Sequence, residues 1–378
     1  MPQEIREVYV DALAGIGNPS SLHQPGQRQR GLLESARERI ARIVGCEPIE
    51  IVFTSGGTEA TNTVLKGSVW AAKAARGQMA PTRVASTRAE HHATLDALAW
   101  LESNEGTEVS WIPVDHEGVI DLDSLDVVLG DHPVEMVTTL MANNEVGSLQ
   151  PVADITRISA QHGVPVHVDA IAALGYLPLD FSTLGATAMS LSAHKVGGPV
   201  GVGALVLSRH APDLHSLVHG GDQQRLRSGT LDVAGALAFA AALELRERRR
   251  LDEVEVLRAR RDELRTVLEN AVPAIQIRGS WDERLPGNLH VTVPGCEGDV
   301  LLYLLDERGI SVSTGSACQA GVPEPSHVLL AMGLTESEAR GALRFSLGYS
   351  TTSDDIQHVG SVFAEVVAHA TSAGMAGL

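Results

Sequence analysis

The sequence predicts an α/β protein: a large domain on a mostly parallel β-sheet, followed by a smaller C-terminal α+β domain. Three observations carry that expectation. Short β-rich runs alternate with helical patterns through the first two-thirds of the chain, the rhythm of βαβ units. A long, charge-rich helical pattern from about Ala236 to Asn270 then interrupts it, and short strands and helices in a different order follow. The expected division is 1–250 for the large domain and 251–378 for the small one, with the first few residues able to pack on the small domain.

Taken in order, Glu50–Thr54 reads as a strand and a helix begins after Ser55-Gly56-Gly57. Val84–Thr87 and Val109–Val114 are strands separated by the helical His92–Ser103. Val134–Met141, Val164–Asp169, Ala188–Ser192 and Gly203–Ser208 continue the series. In the long helical pattern, Val254, Leu257, Leu264 and Leu268 recur at the intervals of an amphipathic helix. Its run Arg246, Arg248, Arg249 and Arg250 is interleaved with acids, which favours a solvated face or domain junction. Beyond it, strands are expected at Ile275–Arg278, Asn288–Val293 and Ser311–Ser313. Helices are expected at Asp299–Glu307, Ser326–Met332 and Glu336–Arg340, with Thr371–Leu378 as a loose tail.

Composition narrows the function classes. With 44% apolar residues, the 378-residue chain can build a real core. A net charge of −18 repels phosphate backbones and anionic lipid, which argues against direct nucleic-acid or membrane binding. The longest mostly apolar run, Val233 to Leu243, is about half of the ~20 residues a bilayer crossing needs. The N-terminus has neither the basic start nor the apolar stretch of a signal peptide. Cys46, Cys296 and Cys318 are far apart and odd in number, which points to a reducing, cytoplasmic setting rather than a disulfide framework. No metal-binding spacing occurs among the histidines.

Three constellations could carry chemistry. The first is strand, Ser55-Gly56-Gly57-Thr58, helix: glycines admit a close ligand and free helix N–H groups favour an anion. An ordinary cap by Ser55 or Thr58 explains the same residues equally well. The second joins Asp169, ending an apolar strand, to Lys195 in Ser192-Ala193-His194-Lys195. A buried aspartate needs a cationic partner, and a desolvated lysine can bind a carbonyl. Pyridoxal phosphate (PLP) enzymes need both, while a structural ion pair is the simpler account. The third is Ser313-Thr314-Gly315-Ser316-Ala317-Cys318, where small residues ahead of a helix suggest an exposed, nucleophilic cysteine. Cys46 and Cys296 read as inert structure.

Read together, these stretches resemble the cysteine desulfurases, the NifS/IscS-like branch of the fold-type I PLP enzymes in the class V aminotransferase superfamily. The resemblance runs from about Gly17 to Ser350. It is carried by Gly17-Asn18-Pro19-Ser20-Ser21-Leu22-His23, Phe53 through Glu59, Glu90-His91-His92-Ala93 and Ala142-Asn143-Asn144-Glu145-Val146-Gly147. His167-Val168-Asp169-Ala170, Ser192 through Lys195, Arg227-Ser228-Gly229-Thr230 and Ser313 through Cys318 complete it.

The resemblance implies a seven-stranded, mostly parallel sheet and a homodimer that converts L-cysteine to L-alanine. Lys195 would carry the cofactor and shuttle protons, His91 would stack on its ring and Asp169 would pair with its nitrogen. Gly57, Thr58, Ser192 and His194 would hold the phosphate, joined by Thr230 from a neighbouring subunit. Asn144 would lie near the cofactor phenolate and the substrate, and Arg344 would grip the substrate carboxylate. Cys318 would take the sulfur as a persulfide and pass it to an acceptor protein. Iron–sulfur assembly, tRNA thiolation and DNA phosphorothioate modification are the destinations the family offers. A selenocysteine lyase or other PLP relative, and a cofactor-poor scaffold binding sulfur-pathway partners, are the alternatives. The chain departs from the pattern in three ways. The family's opening Leu-Asp-x-x-Ala-Thr-Thr would precede the first residue, which would loosen packing at the substrate entrance. Ala172 replaces a glutamine that bonds the cofactor phenolate. Gln224 stands where glutamate is common.

Overall fold

A computed structural model describes residues 1–221, 223–315 and 324–375, in two compact units. The first comprises Met1–Ile112, Leu122–Met141 and Pro151–Arg250; the second comprises Pro113–Asp121, Ala142–Gln150 and Leu251–Leu378. A single cut at 250 therefore misplaces two segments, 113–121 and 142–150. Each leaves the end of a sheet strand and belongs with the second unit. The backbone of 142–150 bonds there directly: Leu149 N donates to Glu283 O and Leu285 N to Gly147 O, both at 2.9 Å. The first residues belong to the first unit, where Ile5 is buried and Glu4 pairs with Arg249 at 3.1 Å.

Two helices, α1 (Gln3–Leu13) and α2 (Gln24–Val44), precede the sheet. α2 starts where the His23 ring accepts a hydrogen bond from Gly26 N (3.1 Å) and Pro25 fills the first turn. It stops at Gly45, whose φ of +68° satisfies the last carbonyls as a side-chain-bearing residue rarely can. The alternating series follows: β1 (Ile51–Thr54), α3 (Gly57–Arg76), β2 (Arg83–Thr87), α4 (His92–Glu105) and β3 (Glu108–Ile112). Next come α5 (Leu122–Asp131), β4 (Met136–Leu140), α6 (Val152–Gln161), β5 (Val166–Asp169), α7 (Phe181–Leu184), β6 (Ala188–Ser192) and β7 (Gly203–Leu207).

The seven strands form one sheet in the order β1-β7-β6-β5-β4-β2-β3. Only β7 runs against its neighbours. Residues 193–202, which join it to β6, are too few for a crossover helix, so the chain must turn straight back. The C-terminal ends of β1, β5 and β6 consequently share one edge of the sheet. The strands β4, β6 and β7 are buried along their whole length, as strands covered on both faces must be. Ala60, Val64, Leu65 and Val69 of α3 and Ala97, Leu98 and Leu101 of α4 pack on Val52, Val84, Met136, Ala188 and Leu205 of the strands. α8 (Val233–Ala271) spans the division between the units. In its first-unit part, Arg250 pairs with Glu247, and Arg246 lies over the Tyr176 ring at 5.1 Å.

The second unit contains β8 (Gln276–Arg278), β9 (Asn288–Thr292), α9 (Gly298–Asp306), α10 (His327–Ala331), α11 (Glu336–Arg340), β10 (Ala342–Ser346) and α12 (Ser353–Met375). Its antiparallel sheet has the order β10-β9-β8. Leu289, Val291, Leu343 and Phe345 of the sheet meet Leu264, Leu268, Leu301, Leu305 and Phe363 of the helices. Two expectations need correction. Ser311–Ser313 forms only an isolated bridge, Ser313 to Arg344, because β10 supplies backbone partners there at one residue. Thr371 is helical rather than the start of a tail, since α12 continues to Met375 with Ala370 buried. Among the described residues, no helix is long and apolar enough to cross a membrane, and no cluster of three or more His, Cys, Asp or Glu is placed to hold a metal ion.

Candidate active site

Three strand ends meet in the first unit. At the end of β1, Gly56 takes φ +152° and ψ −176°, and it is the residue preceding α3. With glycine there, no side chain fills the cap, so the first N–H groups of α3 face outward as an anion cradle. The turn is pressed against its neighbours: a Cβ on Gly57 would collide with Ile171 Cδ1 and sit 3.7 Å from Ser192 Cβ. Gly57 is buried, whereas Thr58 is exposed beside it. The turn is held from behind by Glu59, which accepts from Ser55 N at 2.7 Å and Arg227 Nε at 3.1 Å.

At the end of β5, Asp169 is 2% exposed and accepts a hydrogen bond from Ile171 N at 2.9 Å. Burial pushes its carboxyl up to about 6, against the pull of that N–H and of the Lys195 charge. Two residues earlier, on the same face of the strand, His167 is locked between Thr138 Oγ1 (2.9 Å) and Ser190 Oγ (2.8 Å). Burial lowers His167 to about 3, so it is a neutral strut joining β4, β5 and β6. At the end of β6, Ser192 Oγ lies 2.8 Å from His194 Nδ1, and burial together with Lys195 lowers the His194 pKa. His194 and Lys195 have exposed side chains in this chain, on the 3₁₀ turn Ala193–Val196.

His91 stands at the start of α4, where its Nδ1 accepts from Ala93 N at 3.0 Å. That bond leaves the ring proton on Nε2 and fixes the ring's direction. The residue before it was not given a role from the sequence. Glu90 is 2% exposed, and its Oε1 accepts from Leu140 N and Thr87 Oγ1, both at 3.2 Å. Leu140 is the register partner of Asp169, so the two carboxyls belong to one buried cluster. Burial raises Glu90 to about 8, with Asp169's charge adding to the effect. The available signal was an acid placed between a strand and a helix start; its burial was not legible.

Gln224 resolves one departure from the family pattern. Its Oε1 accepts from Phe53 N (3.0 Å) and its Nε2 donates to Phe53 O (2.6 Å), sealing the free side of β1. A glutamate could accept there but not donate. Thr230 is exposed and Ala172 half-buried.

The second unit brings Asn144 and Arg344 together. Arg344 Nη1 donates to Asn144 O at 2.8 Å, while its buried Nε has no partner. Burial lowers the Arg344 pKa, with Glu145 opposing. A guanidinium edge buried with an unsatisfied N–H is suited to a carboxylate, which can take both prongs of the fork. Cys318 lies outside the described residues. Of the other cysteines, Cys46 is pushed up to about 12 by burial, Glu50 and Glu47, which suppresses its thiolate. Cys296 is buried, with Sγ 3.4 Å from Thr371 Oγ1.

A buried carboxyl, a lysine whose charge reaches it and an uncapped helix start beside them are the fittings of a PLP enzyme: one for the pyridine nitrogen, one for the aldehyde, one for the phosphate. The residues present fit that group. The chain belongs to the aminotransferase class-V family, whose profile matches residues 2–359, and PLP is the cofactor. It is similar to the IscS-like cysteine desulfurase of Mycobacterium tuberculosis, with 44% identity over 374 residues, covering 97% of this chain and 94% of the relative. A solved NifS-like protein superposes with a TM-score of 0.88 at 33% identity, over 98% of this chain and 96% of that one. A structure described as SspA in complex with cysteine superposes with a TM-score of 0.76 at 29% identity, covering 93% of this chain and 97% of that one.

Proposed function

We propose that this chain is a cysteine desulfurase that moves the sulfur of L-cysteine onto Cys318 and from there to an acceptor protein. The observation that carries the reading is the meeting of Asp169, the Gly56–Gly57 turn and Ser192, within reach of the Lys195 charge. When bound, PLP accepts the electrons released at the substrate's α-carbon. Asp169 would hold a proton at the pyridine nitrogen, and His91 would pack on the ring. Gly57, Thr58, Ser192 and His194 would hold the phosphate, and Thr230, exposed on this chain, would serve the site of a second copy. Lys195 would bind the aldehyde and would move protons at the substrate carbons. Arg344 fixes the substrate carboxylate, with Asn144 beside it.

The sulfur step needs no outside oxidant. The Cys318 thiolate attacks the substrate sulfur, a sulfur–sulfur bond forms, and the Cβ–S bond breaks with its electron pair on carbon. That carbon takes a proton. L-Cysteine and one enzyme thiol become L-alanine and one enzyme persulfide. We infer a homodimer from the cross-subunit role that the family resemblance gives Thr230, and a protein acceptor in a reducing, cytoplasmic setting from the acidic charge and the three scattered cysteines. The test is to supply purified protein with PLP and L-cysteine. We expect a visible cofactor band, lost in Lys195→Ala, and one alanine per sulfide released by a reductant. A protein that stays colourless and forms no alanine overturns the reading.

A further inference from the structure

We propose that Arg284 is a positioning residue for the substrate carboxylate: it holds the turn 143–147 in the form that lets the Asn144 carbonyl fix the Arg344 guanidinium. The inference rests on the reading of Arg344 as the group that grips the carboxylate. Every residue it uses lies in the second unit.

Inside the turn, Asn143 supplies the acceptors. Its Oδ1 accepts from Glu145 N (2.9 Å) and Val146 N (3.0 Å), and its carbonyl accepts from Gly147 N (3.0 Å). The turn's own carbonyls are satisfied from outside, one after another. Asn144 O accepts from Arg344 Nη1 at 2.8 Å, Glu145 O from Asn288 Nδ2 at 3.0 Å, and Val146 O from Arg284 Nη2 at 2.9 Å. Arg284 Nη2 also reaches Asn288 Oδ1 at 3.3 Å, so the donors at two adjacent carbonyls are joined to each other. Gly147, at φ +85°, is pressed against the same side chain: an added Cβ would stand 2.6 Å from Asn288 Oδ1.

Arg284 is 2% exposed, and its Nε and Nη1 are buried without hydrogen-bond partners. Burial lowers its pKa to about 10. A buried cation with unmade bonds is a poor way to stabilise a fold. Its hydrogen bonds run to the turn and to the strands beside it: Val146 O, Asn288 Oδ1 on β9 and, at 3.5 Å, Arg278 O on β8. The consequence appears at Arg344. Its backbone is fixed on both sides, by register with His290 on β9 and by Arg344 N donating to Ser313 O at 2.7 Å. Its guanidinium is fixed at one point, Asn144 O. The place of that carbonyl therefore sets where the unpartnered Nε edge points. His290 offers that edge no competing anion: burial, with the Arg344, Arg284 and Arg278 charges, lowers its pKa to about 3 and keeps it neutral. Arg284 touches neither substrate nor cofactor and acts through Val146, Asn144 and Arg344.

Product binding separates carboxylate recognition from sulfur chemistry. L-Alanine carries the carboxylate and no sulfur, and ethylamine is alanine without its carboxylate. Each is titrated into the PLP-loaded enzyme and followed by the cofactor's visible band. Arg284→Met should weaken L-alanine about tenfold, with the affinities for ethylamine and for PLP within about twofold of wild type. Arg284→Lys keeps a buried cation and one donor; it should weaken L-alanine by a smaller factor, and it carries the test if the methionine variant does not fold. In an Arg344→Lys background, Arg284→Met should add less than about twofold, because both act through one guanidinium. In the cofactor-free protein, amide exchange at Glu145, Val146 and Gly147 should quicken in the Arg284 variants. Equal weakening of L-alanine and ethylamine, losses that multiply in the double variant, unchanged exchange in the turn, or unchanged L-alanine affinity overturns the positioning role. If Arg344→Lys alone binds L-alanine as tightly as wild type, the reading of Arg344 fails and the inference falls with it.

Discussion

Replacing Glu90 by glutamine should leave the protein's stability unchanged in acid and raise it in base. The folded protein holds this carboxyl fully buried, with its pKa raised from 4.5 to about 8. An acid whose pKa is raised on folding favours the folded state only while both states are protonated. Between 4.5 and 8 the unfolded chain ionises and the folded one does not, so stability falls by about 1.4 kcal/mol per pH unit. The span of the shift sets an upper bound of about 5 kcal/mol, reached above pH 8. Glutamine keeps an oxygen for Leu140 N and Thr87 Oγ1 but does not titrate, so the penalty disappears. The assay is denaturant unfolding of the cofactor-free wild type and Glu90→Gln at pH 5, 7 and 9. Groups other than Glu90 and its coupled neighbour Asp169 cancel in the difference. We expect near-equal stabilities at pH 5 and an advantage for the variant that grows toward pH 9. A difference that stays constant over that range refutes the buried, neutral Glu90.

Two further outcomes follow from the site. Ala172→Gln should tighten cofactor retention by roughly tenfold or more, the worth of one hydrogen bond to a charged group, read by spectral titration of the cofactor-free protein; unchanged affinity would show that the phenolate is already satisfied. Arg344→Lys should raise KM for L-cysteine about tenfold or more while leaving PLP binding unaltered, because an ammonium cannot present the unpartnered Nε edge along with the Nη1 bond to Asn144 O. A loss of PLP affinity in that variant would instead place Arg344 in the cofactor's support.

The strands of the first unit were legible because each is a short apolar run between turn residues, and their observed ends fall within two residues of the sequence reading. The reversal of β7 was not read, although the evidence lay in the brevity of 193–202. β10 escaped as a strand because its partner β9 lies some fifty residues earlier and Arg344 interrupts its apolar pattern. The site divides in the same way. Asp169, Lys195 and the Ser55–Thr58 turn were legible because a strand-end acid, one of three lysines in the whole chain and a glycine pair are unusual in sequence. Glu90 and Glu145 were not, since a glutamate gives no sign in sequence that it is buried, and glutamates seldom are.

That difference has a chemical reason. The residues recognised first are those the proposed chemistry would put to work on a ligand, and that work would dictate their types: an amine for an aldehyde, a carboxyl for a pyridine nitrogen, a guanidinium for a carboxylate. Glu90 and Glu145 act on other protein groups, and several residue types could do that in another packing. Their costs differ too. Glu90 meets burial by staying neutral, using one oxygen to accept from Leu140 N and Thr87 Oγ1. Glu145 is buried with a hydroxyl on one oxygen and a histidine near the other, with the Arg344 charge close enough to be held up by it. The segment 142–150 explains why it can be so placed. It leaves the sheet after β4 but packs with the second unit, so Asn144 and Glu145 stand beside Arg344, Gly315 and Ser326 while their neighbour Met141 remains bonded to Asp169 O at 2.8 Å in the first unit. One short excursion of the chain thereby supplies Arg344 with the Asn144 carbonyl and Ser326 with the Glu145 carboxylate.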